Sequence, residues 1–87
     1  MRFKDNITVI KEEVKEYGKG WKKGYFQILE IKSTWLAGQA TIFLDSEEDK
    51  LEKGKEYAVE LYQRVTQDKD GRFWINWNIA PESVKEK

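Results

Sequence analysis

Strict alternation of apolar and polar residues is the feature that most constrains how this chain folds. In EYAVELYQRVT, residues 56–66, the side chains of Tyr57, Val59, Leu61 and Val65 fall on one side of an extended chain. Successive side chains of a β-strand point to opposite faces, so a period of two residues indicates a half-buried strand. The pattern therefore predicts a strand with these four side chains turned inward.

A second alternating segment, RFWINWNIAP, follows at residues 72–81 and ends where Pro81 removes a ladder donor. The dipeptide Asp70-Gly71 between the two segments is a turn signal, so we expect the two strands to form a hairpin. The expected inward positions of the second strand are Phe73, Ile75, Trp77 and Ile79, and the outward ones are Trp74, Asn76 and Asn78.

Three further strands are predicted upstream. In GYFQILEIK, residues 24–32, the apolar parity changes between Ile28 and Leu29, which predicts a β-bulge that turns Phe26, Ile28, Leu29 and Ile31 inward. The first strand, around residues 6–14, has no face fixed by its pattern, because Ile7 and Val9 alternate with Thr8 and Ile10. In WLAGQATIFLD, residues 35–45, one face carries Leu36, Ala40, Ile42 and Leu44, and the other carries Trp35, Thr41 and Phe43.

One short helix is predicted, in DSEEDKLEKGK at residues 45–55. Ser46 followed three residues later by Asp49 resembles a capping box, and Gly54 can end a helix of about two turns. The acidic residues of this segment are interpreted as a solvated face or as partners of the helix N-terminus, not as a metal site.

Length and composition indicate one small folded domain without chemistry of its own. The 87 residues can bury only one core, which we place at residues 1–81, followed by a charged tail at 82–87 that is expected to fray. The absence of cysteine favours an intracellular, cytoplasmic protein, and the absence of histidine leaves no obvious general acid or base. We expect no enzyme activity, no cofactor and no membrane span.

Charge is balanced overall but unevenly distributed. The chain has 16 basic and 16 acidic residues. Residues 1–25 hold seven basic and four acidic side chains, residues 26–62 four and eight, and residues 63–87 five and four. Such an asymmetry can orient a polyanion only at short range, within roughly 8 Å at physiological salt.

The order strand, loop, strand, strand, short helix, strand, hairpin, strand resembles the OB-fold of single-stranded nucleic-acid-binding proteins. The resemblance extends over nearly the whole chain, through the segment LEKGKEYAVELY and the closing WNIAP. Within that family the chain is most similar to the compact single-stranded-DNA-binding proteins of bacteriophages and to the nucleic-acid-binding domains of larger DNA replication proteins. The resemblance implies an all-β fold, a small five-stranded OB-like barrel with one short helix between strands 3 and 4.

The same resemblance implies a binding face on strands 2 and 3 and on two loops, GKGWKKG at 18–24 and TQDKDGR at 66–72. Glycines give the first loop freedom to bend, lysines can contact phosphates, and aromatic rings can stack on bases. The expected binding residues are Lys19, Trp21, Lys22, Lys23, Tyr25, Trp35, Phe43, Tyr62, Arg64, Lys69, Arg72 and Trp74.

The aromatic signals at five of these positions also have an ordinary structural explanation. Trp21 can fold back to close the open end of a barrel, and Trp35 and Phe43 can form a dimer interface. Trp74 and Tyr62 can pair across the hairpin.

The sequence hypothesis is a non-catalytic protein that binds single-stranded nucleic acid, DNA rather than RNA, with little sequence preference, alone or as a homodimer or cooperative array. The alternative is a protein-interaction module, such as a phage or host accessory factor, on an OB-like or SH3-like barrel.

Overall fold

The structure, a computed structural model, consists mainly of β-strands. It describes residues 2–34 and 37–87, without the side chains of Lys19 and Lys22. Trp35 and Leu36, which the alternation assigns to opposite faces of the third strand, lie outside the described residues. The strands are β1 (Arg2–Lys19), β2 (Lys22–Ser33), β3 (Ala37–Leu44), β4 (Glu56–Gln67), β5 (Phe73–Ile79) and β6 (Lys85–Glu86).

The first five strands pair in a closed ring. Their order is β1, β2, β3, β5, β4 and back to β1, and only the β3–β5 contact is parallel. The long β1 closes the ring because residues 2–8 pair with β4 while residues 7–19 pair with β2. A bulge at Ile10 lets the strand bend between its two partners. The prediction of an all-β fold with a small barrel-like sheet of five strands is confirmed.

One apolar core fills the inside of the ring. The inward positions predicted for β3 and β4 are largely confirmed, since Ala40, Ile42, Leu44, Tyr57, Val59 and Leu61 are all buried. Ile7 and Val9 of β1 are also buried, which settles the face that the sequence left open.

The bulge predicted in β2 is absent, and the parity assigned to its first half is wrong. β2 pairs with β3 without interruption from Tyr25 to Lys32, so Gln27, Leu29 and Ile31 are the buried positions. Phe26 lies on the outer face, where it is paired with Phe43 of β3. The prediction of a bulge failed because Gln27, a polar residue, occupies a buried position and interrupts the alternation of apolar residues.

The β4–β5 hairpin is confirmed, but the core covers only its base. Val65, Phe73 and Ile75, predicted to be buried, are 60%, 69% and 62% exposed. The alternation correctly predicted that these three residues share one face with Leu61 and Ile79. The hairpin simply extends past the ring.

The short helix and the tail both differ from expectation. A single 3-10 turn, Glu47–Asp49, replaces the two-turn helix, and Ser46 makes no side-chain hydrogen bond to the main chain there. The tail is not frayed: a 3-10 turn, Pro81–Ser83, leads into β6, which pairs with Tyr57 and Ala58 of β4. Among residues 2–34 and 37–87, the structure has no helix long and apolar enough to cross a membrane.

Candidate nucleic-acid interface

A shallow groove of about 310 Å³ crosses the outer face of the sheet. We call it the outer groove. Arg64 is the only residue of its lining that carries a formal charge, and the other lining residues are aromatic, hydroxyl or amide side chains. The lining comprises Tyr17, Phe26, Thr41, Phe43, Arg64, Thr66, Asn76 and Asn78.

Three rings from neighbouring strands form an aromatic cluster at one side of the outer groove. Tyr17 of β1, Phe26 of β2 and Phe43 of β3 have ring centroids 6.0 to 6.2 Å apart. Tyr17 meets Phe43 edge-on, at an interplanar angle of 88°. Such tilted and edge-on contacts are favourable arrangements of aromatic pairs. Because Tyr17 and Phe43 remain partly exposed, they offer apolar ring surface to a ligand.

Gly24 gives Tyr17 its position in the aromatic cluster. The two residues are directly paired across the β1–β2 hairpin, and a Cβ atom built on Gly24 would overlap the tyrosine ring. The ring therefore lies over the glycine backbone, where any side chain at position 24 would displace it.

Arg64 of β4 brings the positive charge of the groove against the aromatic cluster. Its guanidinium carbon lies 5.7 Å from the centroid of the Phe43 ring, within the range of a cation–π contact. A guanidinium held over a ring presents donors to a phosphate or to a base edge beside an apolar surface. Phe43 and Arg64, both expected binding residues, are thus brought together.

Amide and hydroxyl groups complete the lining. Asn78 is paired with Thr41 of β3 and is only 2% exposed, so it lies at the bottom of the groove. Asn76 Nδ2 donates a hydrogen bond of 3.4 Å to Thr66 Oγ1 across the hairpin. The amide of Asn76, which is exposed, can donate to and accept from the polar edges of an unpaired base.

The β1–β2 connection is a tight turn and not the flexible loop predicted for residues 18–24. The ladder continues to the pair Lys19–Lys22, so that only Gly20 and Trp21 form the turn. Gly20 has φ +64°, as the first central residue of a two-residue hairpin turn requires. Trp21 is 89% exposed at the tip, which excludes the alternative that it closes the barrel.

Of the three lysines in residues 18–24, Lys23 is the one whose side chain the structure describes. Its Nζ lies 3.2 Å from Glu16 Oε1, and both side chains are about half exposed. An exposed pair of this kind is weak and can be exchanged for a phosphate contact.

The β4–β5 loop is ordered by one carboxylate. Asp68 Oδ1 accepts hydrogen bonds of 2.9 Å from the main-chain N–H groups of Asp70 and Arg72, and Oδ2 accepts one of 3.0 Å from Trp74 Nε1. These bonds, that of Trp74 first, lower the pKa of Asp68 below its ordinary value. Lys69 and Arg72 are exposed in this loop.

Trp74 lies on the β4–β5 hairpin next to the part of the groove that this hairpin lines. It is paired with Thr66 and shares the outer face of the hairpin with Arg64 and Asn76, and 55% of its surface is exposed. Its cross-strand partner is not Tyr62, so the alternative that Trp74 and Tyr62 pair across the hairpin is wrong.

Two of the aromatic residues expected to bind bases, Tyr62 and Tyr25, do not line the outer groove. Tyr62 lies on the outer face of β4 next to Asn78, and the Arg2 guanidinium is 5.8 Å from its ring centroid. Tyr25, predicted to point outward, packs against the core because it has the same parity as Gln27 and Leu29. Tyr25 is therefore removed from the candidate site.

Sequence reasoning missed six lining residues of the outer groove. Phe26 was assigned inward because of the supposed bulge, and the asparagines were taken as ordinary outward residues of a strand. A usable signal was present for Tyr17, since an aromatic residue directly opposite a glycine in a hairpin tends to cover it. The missed residues are Tyr17, Phe26, Thr41, Thr66, Asn76 and Asn78.

Acidic residues border the groove beyond Phe43. A neighbouring depression of about 620 Å³ shares Phe43, and its charged lining residues, Asp45, Asp49 and Glu82, are all acidic. In the described part of the chain, no group of three or more His, Cys, Asp or Glu side chains has an arrangement that could hold a metal ion. The acidic depression repels phosphates, so a polyanion would approach the groove from its hairpin side.

Comparisons with known proteins give no relative for this fold and site. No family model, no curated protein and no solved structure matches the chain.

Proposed function

We propose that the chain binds single-stranded nucleic acid, DNA rather than RNA, in the outer groove, with little sequence preference and without catalysis. The observation that carries the proposal is the contact of Arg64 with Phe43 at the edge of the aromatic cluster. Partly exposed rings and a cation in one otherwise uncharged groove match the two chemical features of a nucleotide, a flat base and an anionic phosphate.

Stacking supplies the larger share of the expected affinity. A base on an aromatic side chain contributes about 1–3 kcal/mol and tolerates any base, because every base has a π-face. Tyr17, Phe43 and Trp74 are the exposed rings nearest to the groove. The exposed amide of Asn76 offers hydrogen bonds to base edges without selecting one base strongly.

Phosphate contacts are few. The described cations near the groove and the two hairpin tips include Arg64, Lys23, Lys69, Arg72 and Lys15, which is paired with Phe26, and the sequence adds Lys19 and Lys22. Roughly three to five contacts predict a log–log salt dependence with a slope of about −2 to −3.5. Affinity for one chain is therefore modest and sensitive to salt.

The strand order supports the OB-like version of the proposal over a simple meander of the SH3-like kind. β5 lies between β3 and β4, and β4 returns to pair with β1. An OB-fold is a partly open five-stranded barrel of Greek-key type that binds ligands on strands 2 and 3 and on the β1–β2 and β4–β5 loops. The outer groove lies at β2, β3 and the β4–β5 hairpin.

Fluorescence titration with a short oligo-dT tests this function. An oligonucleotide of roughly eight bases is within the range of about 4–16 that one OB-like domain covers. We expect quenching of tryptophan emission at low salt and its loss as salt is raised. Absence of any change at low salt would overturn the proposal and favour the protein-interaction module.

Two substitutions locate the binding. Phe43→Ala is expected to weaken binding by roughly five-fold or more, the equivalent of about 1 kcal/mol. Arg64→Gln is expected to reduce the salt slope by about 0.7. The matched control is Phe73→Ala, an exposed aromatic on the opposite face of the same hairpin, which should leave the affinity unchanged.

A further inference from the structure

The end of the β4–β5 hairpin is a two-stranded ribbon, and no strand among the described residues covers its inner face. We define the ribbon as residues 63–67 of β4 and 73–77 of β5. β1 pairs with β4 only up to Tyr62, and β3 pairs with β5 only from Trp77 onward. Two-stranded ribbons are marginal in water unless an apolar face is packed against something.

The inner face of the ribbon is apolar. Val65 is paired with Ile75 at its centre, and Phe73 lies nearer the tip. Trp77 and Phe3 continue the same face at the barrel, with ring centroids 6.1 Å apart. These five residues are the apolar ribbon face, and all of them except Trp77 are about half exposed or more.

We propose that the apolar ribbon face packs against the same face of a second copy of this chain, around a two-fold axis. The proposal is independent of nucleic-acid binding, because Arg64, Thr66, Trp74 and Asn76 lie on the opposite face of the ribbon. Both outer grooves remain open in such a dimer and face away from each other.

The area fits a small dimer interface. Val65, Phe73, Ile75 and Phe3 are 60%, 69%, 62% and 49% exposed. At roughly 150–200 Å² for each fully exposed side chain, they present on the order of 400 Å² of apolar surface per copy. Two copies would bury about 800 Å² of apolar area. At the apolar share of about 65% that is typical of homodimer interfaces, this corresponds to a total buried area of about 1,200 Å², the lower end of the standard size.

Charge also favours a second copy. In a two-fold interface the same surface patch of both copies is in contact. A patch with a net charge would therefore face a patch of the same charge and be repelled. In a chain whose residues are 37% charged, the remaining ribbon positions on this face are Gln63 and Gln67, which are neutral. The loop at the ribbon tip, residues 68–72, carries two acidic and two basic residues and therefore has no net repulsion.

Sedimentation velocity over protein concentrations from micromolar to several hundred micromolar tests the dimer. We expect the wild-type protein to shift from monomer to dimer over this range, and Ile75→Asp and, as a second variant, Val65→Lys to remain monomeric. Both substituted side chains are largely exposed, so circular dichroism should show an unchanged fold. Gln39→Asp, an exposed neutral-to-acidic change on β3, is the matched control and should dimerise like the wild type.

A wild-type protein that stays monomeric at the highest concentration would overturn the proposal and leave the face to another partner. Persistence of the dimer in folded Ile75→Asp, or its loss in Gln39→Asp, would overturn it too. None of these outcomes depends on oligonucleotide binding.

Discussion

Gln27 and Leu51 are joined side chain to main chain by two hydrogen bonds inside the barrel. Gln27 Nε2 donates to the Leu51 carbonyl at 2.7 Å, and Leu51 N–H donates to Gln27 Oε1 at 2.8 Å. The same Nε2 donates to Glu12 Oε2 at 2.9 Å. The fully buried side chain of Gln27 thus satisfies both main-chain groups of Leu51, in the β3–β4 connection, and holds Leu51 in the core.

Replacing this glutamine is expected to be costly. Gln27→Leu leaves the buried N–H and C=O of Leu51 without partners, at about 1–3 kcal/mol each, so we expect the free energy of unfolding to fall by about 2–6 kcal/mol. Urea denaturation measures the loss. Gln39→Leu, on an exposed position, should change it by less than about 0.5 kcal/mol. Equal effects of the two substitutions would contradict this role.

Gly24→Ala tests whether the aromatic cluster depends on the glycine. The new methyl group would displace the ring of Tyr17, and loss of that stacking surface should weaken oligo-dT binding by roughly three- to ten-fold. In the Tyr17→Ala background the same change should have no further effect, because no ring remains to be displaced. Independent, additive losses in this double-mutant cycle would show that Gly24 acts in another way.

The Asp68 loop should respond to acid. The pKa of Asp68 is lowered from its ordinary value of 3.8, chiefly by the Trp74 hydrogen bond. A depressed pKa means that the carboxylate stabilises the folded loop above the unfolded pKa, and that this stabilisation is lost as the pH falls through the folded pKa. The Nε1–H resonance of Trp74 should therefore titrate with a midpoint below 3.8 and become independent of pH in Asp68→Asn. A midpoint at or above that value would refute the assignment.

The tail should be held by packing more than by its ion pairs. Val84 packs against the core, whereas Lys55 Nζ, in solvent, lies 2.9 Å from Glu86 and 3.1 Å from Glu52. We expect Val84→Ala to lower the free energy of unfolding by about 1 kcal/mol, and Glu86→Gln to change it by less than about 0.5 kcal/mol. Thermal denaturation of the two variants compares them, and a larger effect for Glu86→Gln would reverse the conclusion.

Local patterns predicted the strands because alternation depends only on which residues share a face. Tyr57, Val59 and Leu61 were assigned correctly for that reason. The same rule cannot say how far a ring of strands covers a given face, so Val65, Phe73 and Ile75 were assigned to the core although they lie beyond it. Gln27 shows the complementary failure, since its burial depends on Leu51, which is 24 residues away in sequence.

The candidate site was predicted in part. Phe43, Arg64 and Trp74 were named from outward positions, and the structure places them on one face around the outer groove. Tyr17 and Phe26 were missed because their contacts with Phe43 depend on the register of three strands, which a single sequence does not fix.

Chemical-shift mapping with oligo-dT tests the central claim most directly, because it reports the ligand's position residue by residue. The account predicts perturbations at Phe43, Arg64, Thr66 and Asn76, in the outer groove, that grow as salt is lowered. Perturbations confined to the apolar ribbon face, or spread evenly over the surface, would contradict it.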